Sequence, residues 1–219
     1  MKTISLDLDG TLSDLKNFEE LFWYGEIPKL YSEKYNMSFE EARILVRKAY
    51  DEMGDQRIEW YTADHWIKSF KLEKSFDEIM FTIKDKLTIY PEVKGVLNHL
   101  SRNYEIIILT KSPLDMAVYK LRAGNIIKKI KHVFSTISHF NSTEKSKDIF
   151  ENILEKLNLS KDEIVHVGDS FNSDYIIPKS FGIRSFYLDR ENKMNGIDVI
   201  HSLSELEGKL NGFELSKTI

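Results

Sequence analysis

The chain contains no cysteine. That absence excludes disulfides, Cys-ligated zinc, iron–sulfur clusters and thiol catalysis. Basic charge is not in surplus either: 31 Lys and Arg stand against 35 Asp and Glu, a formal net charge of −4. A general nucleic-acid binder needs a basic face, so no nucleic-acid partner is expected. No window approaches the roughly 18 apolar residues that a membrane span needs. Two carboxylates, Asp7 and Asp9, interrupt the only apolar stretch near the N-terminus, so neither a membrane anchor nor a signal peptide is expected. There is no internal repeat and no low-complexity tract. What remains is an ordinary globular composition, 42% hydrophobic and 30% charged, for which a cytoplasmic location is expected. Its 219 residues suit one domain or two small ones, at roughly 100–200 residues each.

Short apolar runs punctuate the chain. Ile4 to Leu8, Ile106 to Leu109, His132 to Thr136, Ile164 to Val167 and Ser185 to Leu188 read as strands, with Asp198 to His201 as an edge candidate. The unbroken Ile106–Leu109 run is typical of a strand buried on both faces. Amphipathic stripes separate the later runs: Val93, Val96, Leu97 and Leu100, then Ile149, Phe150, Ile153, Leu154 and Leu157. Ser112-Pro113 reads as an N-cap followed by proline at the first helical position, with Gly124 near the stop. Strands alternating with helices imply βαβ units and a parallel sheet. The expected class is α/β: a three-layer Rossmann-like core with an inserted α-helical cap.

Residues 14–88 break that rhythm and contain no strand pattern. Ala42, Leu45, Val46, Ala49 and Met53 form one helical stripe, with Ser38 and Glu41 as a capping box and Gly54 at its end. Phe76, Ile79, Met80, Ile83 and Leu87 form another, with Ser75 and Glu78 as its box. Pro28 is expected to break the first helical stretch in two. This segment holds 14 of the chain's 26 aromatics and all three tryptophans. It reads as a helical subdomain, 14–88, inserted after the first strand of a core formed by 1–13 and 89–219.

Three polar motifs follow apolar strands, and ligands of open parallel sheets bind beyond the carboxyl ends of the strands. In Asp7-Leu8-Asp9-Gly10-Thr11 the two carboxylates share a face if the strand continues, and Gly10 permits a tight exit. Two like charges that close favour a proton on one of them, or a cation between them. Such a pair suits covalent catalysis, one group attacking and one serving the leaving group. Gly168-Asp169-Ser170-Phe171-Asn172-Ser173-Asp174 adds two more carboxylates at another strand end. Hard oxygen ligands, without Cys or His in either motif, favour Mg2+ over zinc. Thr110-Lys111-Ser112-Pro113 offers a hydroxyl and backbone N–H groups at a helix start, an anion site. Lys145 or Lys147 would supplement it with positive charge.

These residues resemble the haloacid dehalogenase-like hydrolase superfamily. Asp7-Leu8-Asp9-Gly10-Thr11 matches its DxDGT motif, Thr110 its second motif, and Gly168-Asp169 with Asp174 its GDxxxxD form. The third motif departs from the common Lys-Pro pattern: Glu144-Lys145-Ser146-Lys147-Asp148-Ile149-Phe150 lacks that proline. Lys145 is favoured, with Lys147 in reserve. Lys111 follows Thr110 where many relatives carry asparagine. The resemblance implies a cap of the C1 type and a role for each residue. Asp7 attacks phosphorus and forms an aspartyl-phosphate. Asp9 protonates the leaving oxygen and then deprotonates water. Asp7, the Asp9 carbonyl, Asp169 and Asp174 hold Mg2+, while Thr110, Lys111 and Lys145 bind the phosphoryl oxygens. Dehalogenases of this type lack an acid at the position of Asp9, so the expected activity is a Mg2+-dependent phosphatase hydrolysing a small phosphorylated metabolite.

The cap is expected to close over the site, hinged near Ser13–Lys16 and Thr88–Glu92. Asp55, Gln56, Arg57, Asp64 and His65 are its polar specificity candidates, Arg57 and His65 foremost. Trp60, Tyr61 and Trp66 either line the pocket or form the cap's own core. His166 reads as a structural residue within its strand. Lys128, Lys129 and Lys131 read as a solvated element end. A phosphomutase would use the same residues. A receiver-type signalling module would gather similar groups in a much shorter chain. A catalytically idle binding partner would not need every acid in place. Oligomeric state stays open.

Overall fold

Six apolar segments become strands, and all lie in one parallel sheet. In the computed structural model, which describes residues 2–210, they are β1 (Thr3–Leu6), β2 (Glu105–Thr110), β3 (His132–Ser135), β4 (Ile164–Gly168), β5 (Arg184–Leu188) and β6 (Val199–Ile200). Residues 1 and 211–219 of the expected core lie outside the described residues. The order across the sheet is β3-β2-β1-β4-β5-β6, which puts β1 at the centre between β2 and β4. The order reverses beside β1, and the carboxyl ends of β1, β2 and β4 meet at that switch point.

Between β1 and β2 come α1 (Leu15–Leu21), α2 (Ile27–Tyr35), α3 (Phe39–Met53), α4 (Ile58–Tyr61), α5 (Ala63–Ser69) and α6 (Phe76–Ile83). The helix α7 (Val93–Leu100) precedes β2, and α8 (Leu114–Ala123) joins β2 to β3. Then α9 (Thr136–Phe140) and α10 (Lys147–Leu157) lead to β4, and α11 (Ile177–Phe181) leads to β5. Three apolar clusters organise these elements. On one face of the sheet, Ile4, Leu6, Ile108 and Val167 pack with Val93 and Leu97 of α7 and with Ala117 and Leu121 of α8. On the other, Ile107 and Leu109 pack with Ile149, Phe150 and Ile153 of α10. The third cluster lies in the helical insertion, where Phe22, Val46, Tyr50, Trp66, Ile79 and Met80 are buried, with Met116 of α8 added from outside. Each fully buried large side chain contributes roughly 1.5–3 kcal/mol, and α3, α6, α7, α8 and α10 each bury an apolar stripe.

Both expected capping boxes are present, at Ser38/Glu41 and Ser75/Glu78. The α3 stripe is rotated from its expected position: Tyr50 is buried and Leu45 exposed. Pro28 does not break the chain. Phe22–Glu26 widens into a π-helical turn and runs directly into α2, with Pro28 in its first turn. The wider turn relieves the clash that a proline ring makes one α-turn back, and the Trp23 carbonyl accepts a hydrogen bond from the Tyr50 hydroxyl (3.3 Å). Ser112 is not an N-cap either. Pro113 occupies that position, and the Ser112 hydroxyl accepts from Lys120 Nζ (3.3 Å).

The two connections into and out of the insertion run together. Ser13 bridges Ile89 in antiparallel fashion, the Asp14 N–H donates to the Thr88 carbonyl, and the Tyr90 N–H donates to Leu12. Among the described residues no helix is long and apolar enough to cross a membrane.

Candidate active site

Strand β1 delivers Asp7 one residue beyond its end, and pairing continues as the Asp7 N–H donates to the Val167 carbonyl (2.9 Å). The chain then turns sharply. Gly10 has φ +83°, and a Cβ there would overlap the Asp169 carboxylate, so only glycine lets the first and fourth strand ends approach this closely. Gly168 serves the same purpose opposite Asp174. Arg190 pins the turn: its guanidinium donates to the Gly10 and Thr11 carbonyls (3.1 and 2.8 Å).

Around this turn Asp7, Asp169 and Asp174 each present an oxygen within 4.8 Å of the others. Lys145, directly before α10, lies between two of them. Its Nζ donates to Asp7 Oδ1 at 2.6 Å and to Asp174 Oδ1 at 2.5 Å, with only 2% of the side chain exposed. Lys147 is on the exposed first turn of α10, outside the cluster. Asp174 is further tied by His166, whose Nε2 lies 2.9 Å from Oδ1, and by the Ser170 N–H, which donates to Oδ2. A carboxylate only accepts, so His166 carries its proton on Nε2 and takes the Ser5 hydroxyl on Nδ1 (2.8 Å). His166 is therefore part of the site's support, a role not anticipated for it.

The charges in this cluster shape one another. Burial holds the Asp7 carboxyl well above its ordinary range, opposed by Lys145 and reinforced by Asp174 and Asp169. Burial, then the charge of Asp174, pushes Asp169 up to about 6. Burial also works to raise Asp174, but Lys145 and the His166 hydrogen bond outweigh it and hold Asp174 low. Burial opposes the charge on Lys145, yet Asp174 and Asp7 together raise it above the ordinary lysine value. Burial keeps His166 neutral by lowering its affinity for a proton. Oxygen donors at this spacing, with three acids crowded out of water, fit a hard divalent cation.

Asp9 stands apart from this triad. Its Oδ1 accepts from Lys120 Nζ at 2.7 Å and from the Ser13 hydroxyl at 2.9 Å. Lys120 comes from α8, is buried, and places its ammonium 3.6 Å from the Phe18 ring centre. The expected pairing of two carboxylates is thus divided: one faces the triad, one is tethered to a lysine. Thr110 closes β2, and its Oγ1 accepts from the Ser112 N–H (3.0 Å). Lys111 lies beside it and pairs with Glu144 at 3.4 Å.

The four aspartates, Thr110, Lys111, Lys120 and Lys145 border one cavity of about 250 Å³. Its outer wall comes from the insertion, through Leu15, Phe18, Glu19, Trp23, Trp60 and Tyr61. Trp66 does not reach it and lies in the insertion's core. Arg57 and His65 do not line it. Arg57 is turned to Glu59 at the surface, and His65 shares a hydrogen bond with Ser69. Sequence alone does not tell which polar residues of a short connection point inward.

A family model described as haloacid dehalogenase-like hydrolase matches residues 1–182. The chain belongs to this family. A phosphatase of the family from Thermococcus onnurineus superposes with a TM-score of 0.79 at 26% identity, covering 97% of this chain and 99% of that one. A hydrolase of the family from Bacillus subtilis, bound to magnesium, gives 0.68 at 17% identity over 96% and 98%. A 2-haloacid dehalogenase from Pseudomonas syringae gives 0.66 at 17% over 97% and 99%. At 17% identity these last two speak for the fold alone. No curated protein matches the chain.

Proposed function

We propose that this haloacid dehalogenase-like hydrolase is a Mg2+-dependent phosphatase acting on a small phosphomonoester. The observation that carries this reading is Asp9, held by Lys120 and Ser13 outside the carboxylate triad. An alcohol leaving phosphorus needs a proton and a halide does not, so a tethered second carboxylate favours phosphate ester over haloacid. Asp7 supports it as the nucleophile. Its Oδ1 is anchored by Lys145, and its Oδ2 has no hydrogen-bond partner among the described residues.

In this reading Asp9 takes up a proton as the ester binds, Asp7 Oδ2 attacks phosphorus in line, the P–O bond to the alcohol breaks, and Asp9 gives that proton to the departing oxygen. Asp9 then takes a proton from the water that opens the aspartyl-phosphate. Thr110, Lys111 and Lys145 meet the phosphoryl oxygens, whose charge must be neutralised and fixed in place. Mg2+, held by Asp7, Asp169 and the Asp9 carbonyl, would supply the remaining neutralisation. Asp174 already accepts three hydrogen bonds, which suits a group that orients its neighbours. A phosphomutase must hold a second sugar hydroxyl for transfer, and the outer wall of this cavity, aromatic but for Leu15 and Glu19, favours release of phosphate instead.

Phosphate release from an aryl and an alkyl phosphate, with and without Mg2+, tests the assignment. Activity should require the metal and vanish in Asp7→Asn. Asp9→Asn should slow the alkyl ester by roughly 10²–10⁴-fold and the aryl ester less, because a phenolate leaves without help. Undiminished hydrolysis by Asp7→Asn would end the proposal.

A further inference from the structure

The outer half of the cavity has a chemical character of its own. Four aromatic residues of the insertion, Phe18, Trp23, Trp60 and Tyr61, border it, and among them stands one carboxylate, Glu19. No lysine or arginine of the insertion lines the cavity. Glu19 is half-buried and makes no hydrogen bond or ion pair among the described residues. Burial and the nearby charge of Asp9 raise its proton affinity, with Lys120 opposing.

Every lysine that lines the cavity is paired with another acid. Lys120 is held by Asp9 and Ser112, Lys145 by Asp7 and Asp174, and Lys111 by Glu144. The N–H of the Trp60 ring is also spent on the protein, its Nε1 donating to the Tyr50 carbonyl (3.1 Å). A carboxylate left without an ion-pair partner among aromatic side chains is the environment that attracts an organic cation. It repels a second carboxylate, so a phosphorylated hydroxy acid is a poor fit.

We propose that the alcohol released here carries a positive charge: the substrates are phosphomonoesters of small amino alcohols, whose ammonium meets Glu19 between the rings of Trp23, Trp60 and Tyr61. The inference rests on the phosphatase reading for the fate of the phosphoryl group, and on the outer wall alone for the alcohol. Primary and quaternary ammonium groups share the required chemistry, and the test separates them.

Four esters of similar size make the panel. Phosphocholine and phosphoethanolamine carry the charge. In 3,3-dimethylbutyl phosphate carbon replaces the quaternary nitrogen, and phosphoglycolate carries the opposite charge. With Mg2+ present, kcat/KM for the better cationic ester should exceed that of the neutral isostere by about tenfold or more, and phosphoglycolate should rank last. Glu19→Gln should bring the ratio of cationic to neutral ester within about threefold of unity. The quaternary or the primary ester leading assigns the kind of ammonium; either result supports the class. A parallel calorimetric titration of Asp7→Asn with the same four esters reads the wall without turnover. Ranked binding without hydrolysis by the unmodified enzyme would uphold the wall and overturn the phosphatase reading. Hydrolysis without ranking, or a ratio unmoved by Glu19→Gln, would overturn the wall and leave the phosphatase standing.

Discussion

Lys145→Met removes the ammonium from the acid triad and keeps most of the stem. The structure sets the size of the effect. Lys145 joins Asp7 and Asp174 at 2.6 and 2.5 Å, and the side chains of the lysine and of Asp174 are almost wholly buried. Removing one partner of such a pair costs about 3–5 kcal/mol, because the other charge is left uncompensated. For a chain this long, about 2–4 °C accompany each kcal/mol. The melting temperature in EDTA should therefore fall by roughly 6–20 °C. Mg2+ then becomes informative. A unit charge 4 Å away is worth about 4 kcal/mol at an effective dielectric of 20, so loss of the lysine removes a repulsion on any cation entering the triad. Mg2+ should raise the variant's melting temperature more than the parent's, while the variant's kcat falls by about 10²–10³-fold. Thermal melts across a Mg2+ titration, run on both proteins, decide it. An unchanged melting temperature in EDTA, or equal Mg2+ shifts in the two proteins, would refute the reasoning.

Lys120→Met frees Asp9 from its tether and should slow an alkyl phosphate by about 10–100-fold, since a displacement near 1 Å costs up to 10²; steady-state rates should show an aryl phosphate slowed less. Asp169 titrates near 6 in the folded chain against 3.8 for the ordinary group. The unfolded chain gives up that proton first, so this contribution to stability is complete below about pH 4 and is lost as pH rises through about 6. Metal-free melts from pH 4 to 7 should fall less steeply in Asp169→Asn than in the parent, and parallel curves would count against the assignment. Gly168→Ala drives a Cβ into the Asp174 carboxylate; it should cost about 1–3 kcal/mol and abolish stabilisation by Mg2+, both read from melts.

The strand-end acids were legible because their signal is local: an apolar run, a carboxylate, then glycine. Register does the rest, since β1 pairs with both β2 and β4 and so aligns residues 100 and more positions apart. Place before the Ile149 stripe left Lys145 and Lys147 both open, and the resemblance to the family's third motif favoured Lys145, which is the one the structure buries. Lys120 was not singled out, yet a signal existed. It falls with Met116, Ala117 and Leu121 on the buried face of α8, and a lysine on an apolar stripe requires a partner. His166 alternates onto the same side of the sheet as Ser5, but its tie to Asp174 depends on the turn after β4. Pro28 misled because the π-turn that accommodates it is a tertiary arrangement, with Tyr50 of another helix taking the Trp23 carbonyl. Arg57 and His65 misled because a polar residue beside or on a short cap helix does not announce its direction: both turn to neighbours at the surface, while Glu19 of α1 borders the cavity.

The balance of charge links the two halves of the site. Asp7, Asp9, Asp169 and Asp174 bring four carboxylates to the strand ends, and Lys120 and Lys145 are the buried lysines that answer them. With all six groups ionised, two negative charges remain, which one divalent cation cancels. Each lysine is specialised by where it originates. Lys145 enters from the segment before α10 and ties Asp7 to Asp174; Lys120 enters from α8 and ties only Asp9 among the carboxylates. Asp7 is thereby fixed to the sheet and Asp9 to a helix packed on the insertion's Phe18. Glu19 stands outside this balance, in no ion pair among the described residues, and in the proposed reading it is the substrate's ammonium that answers its charge.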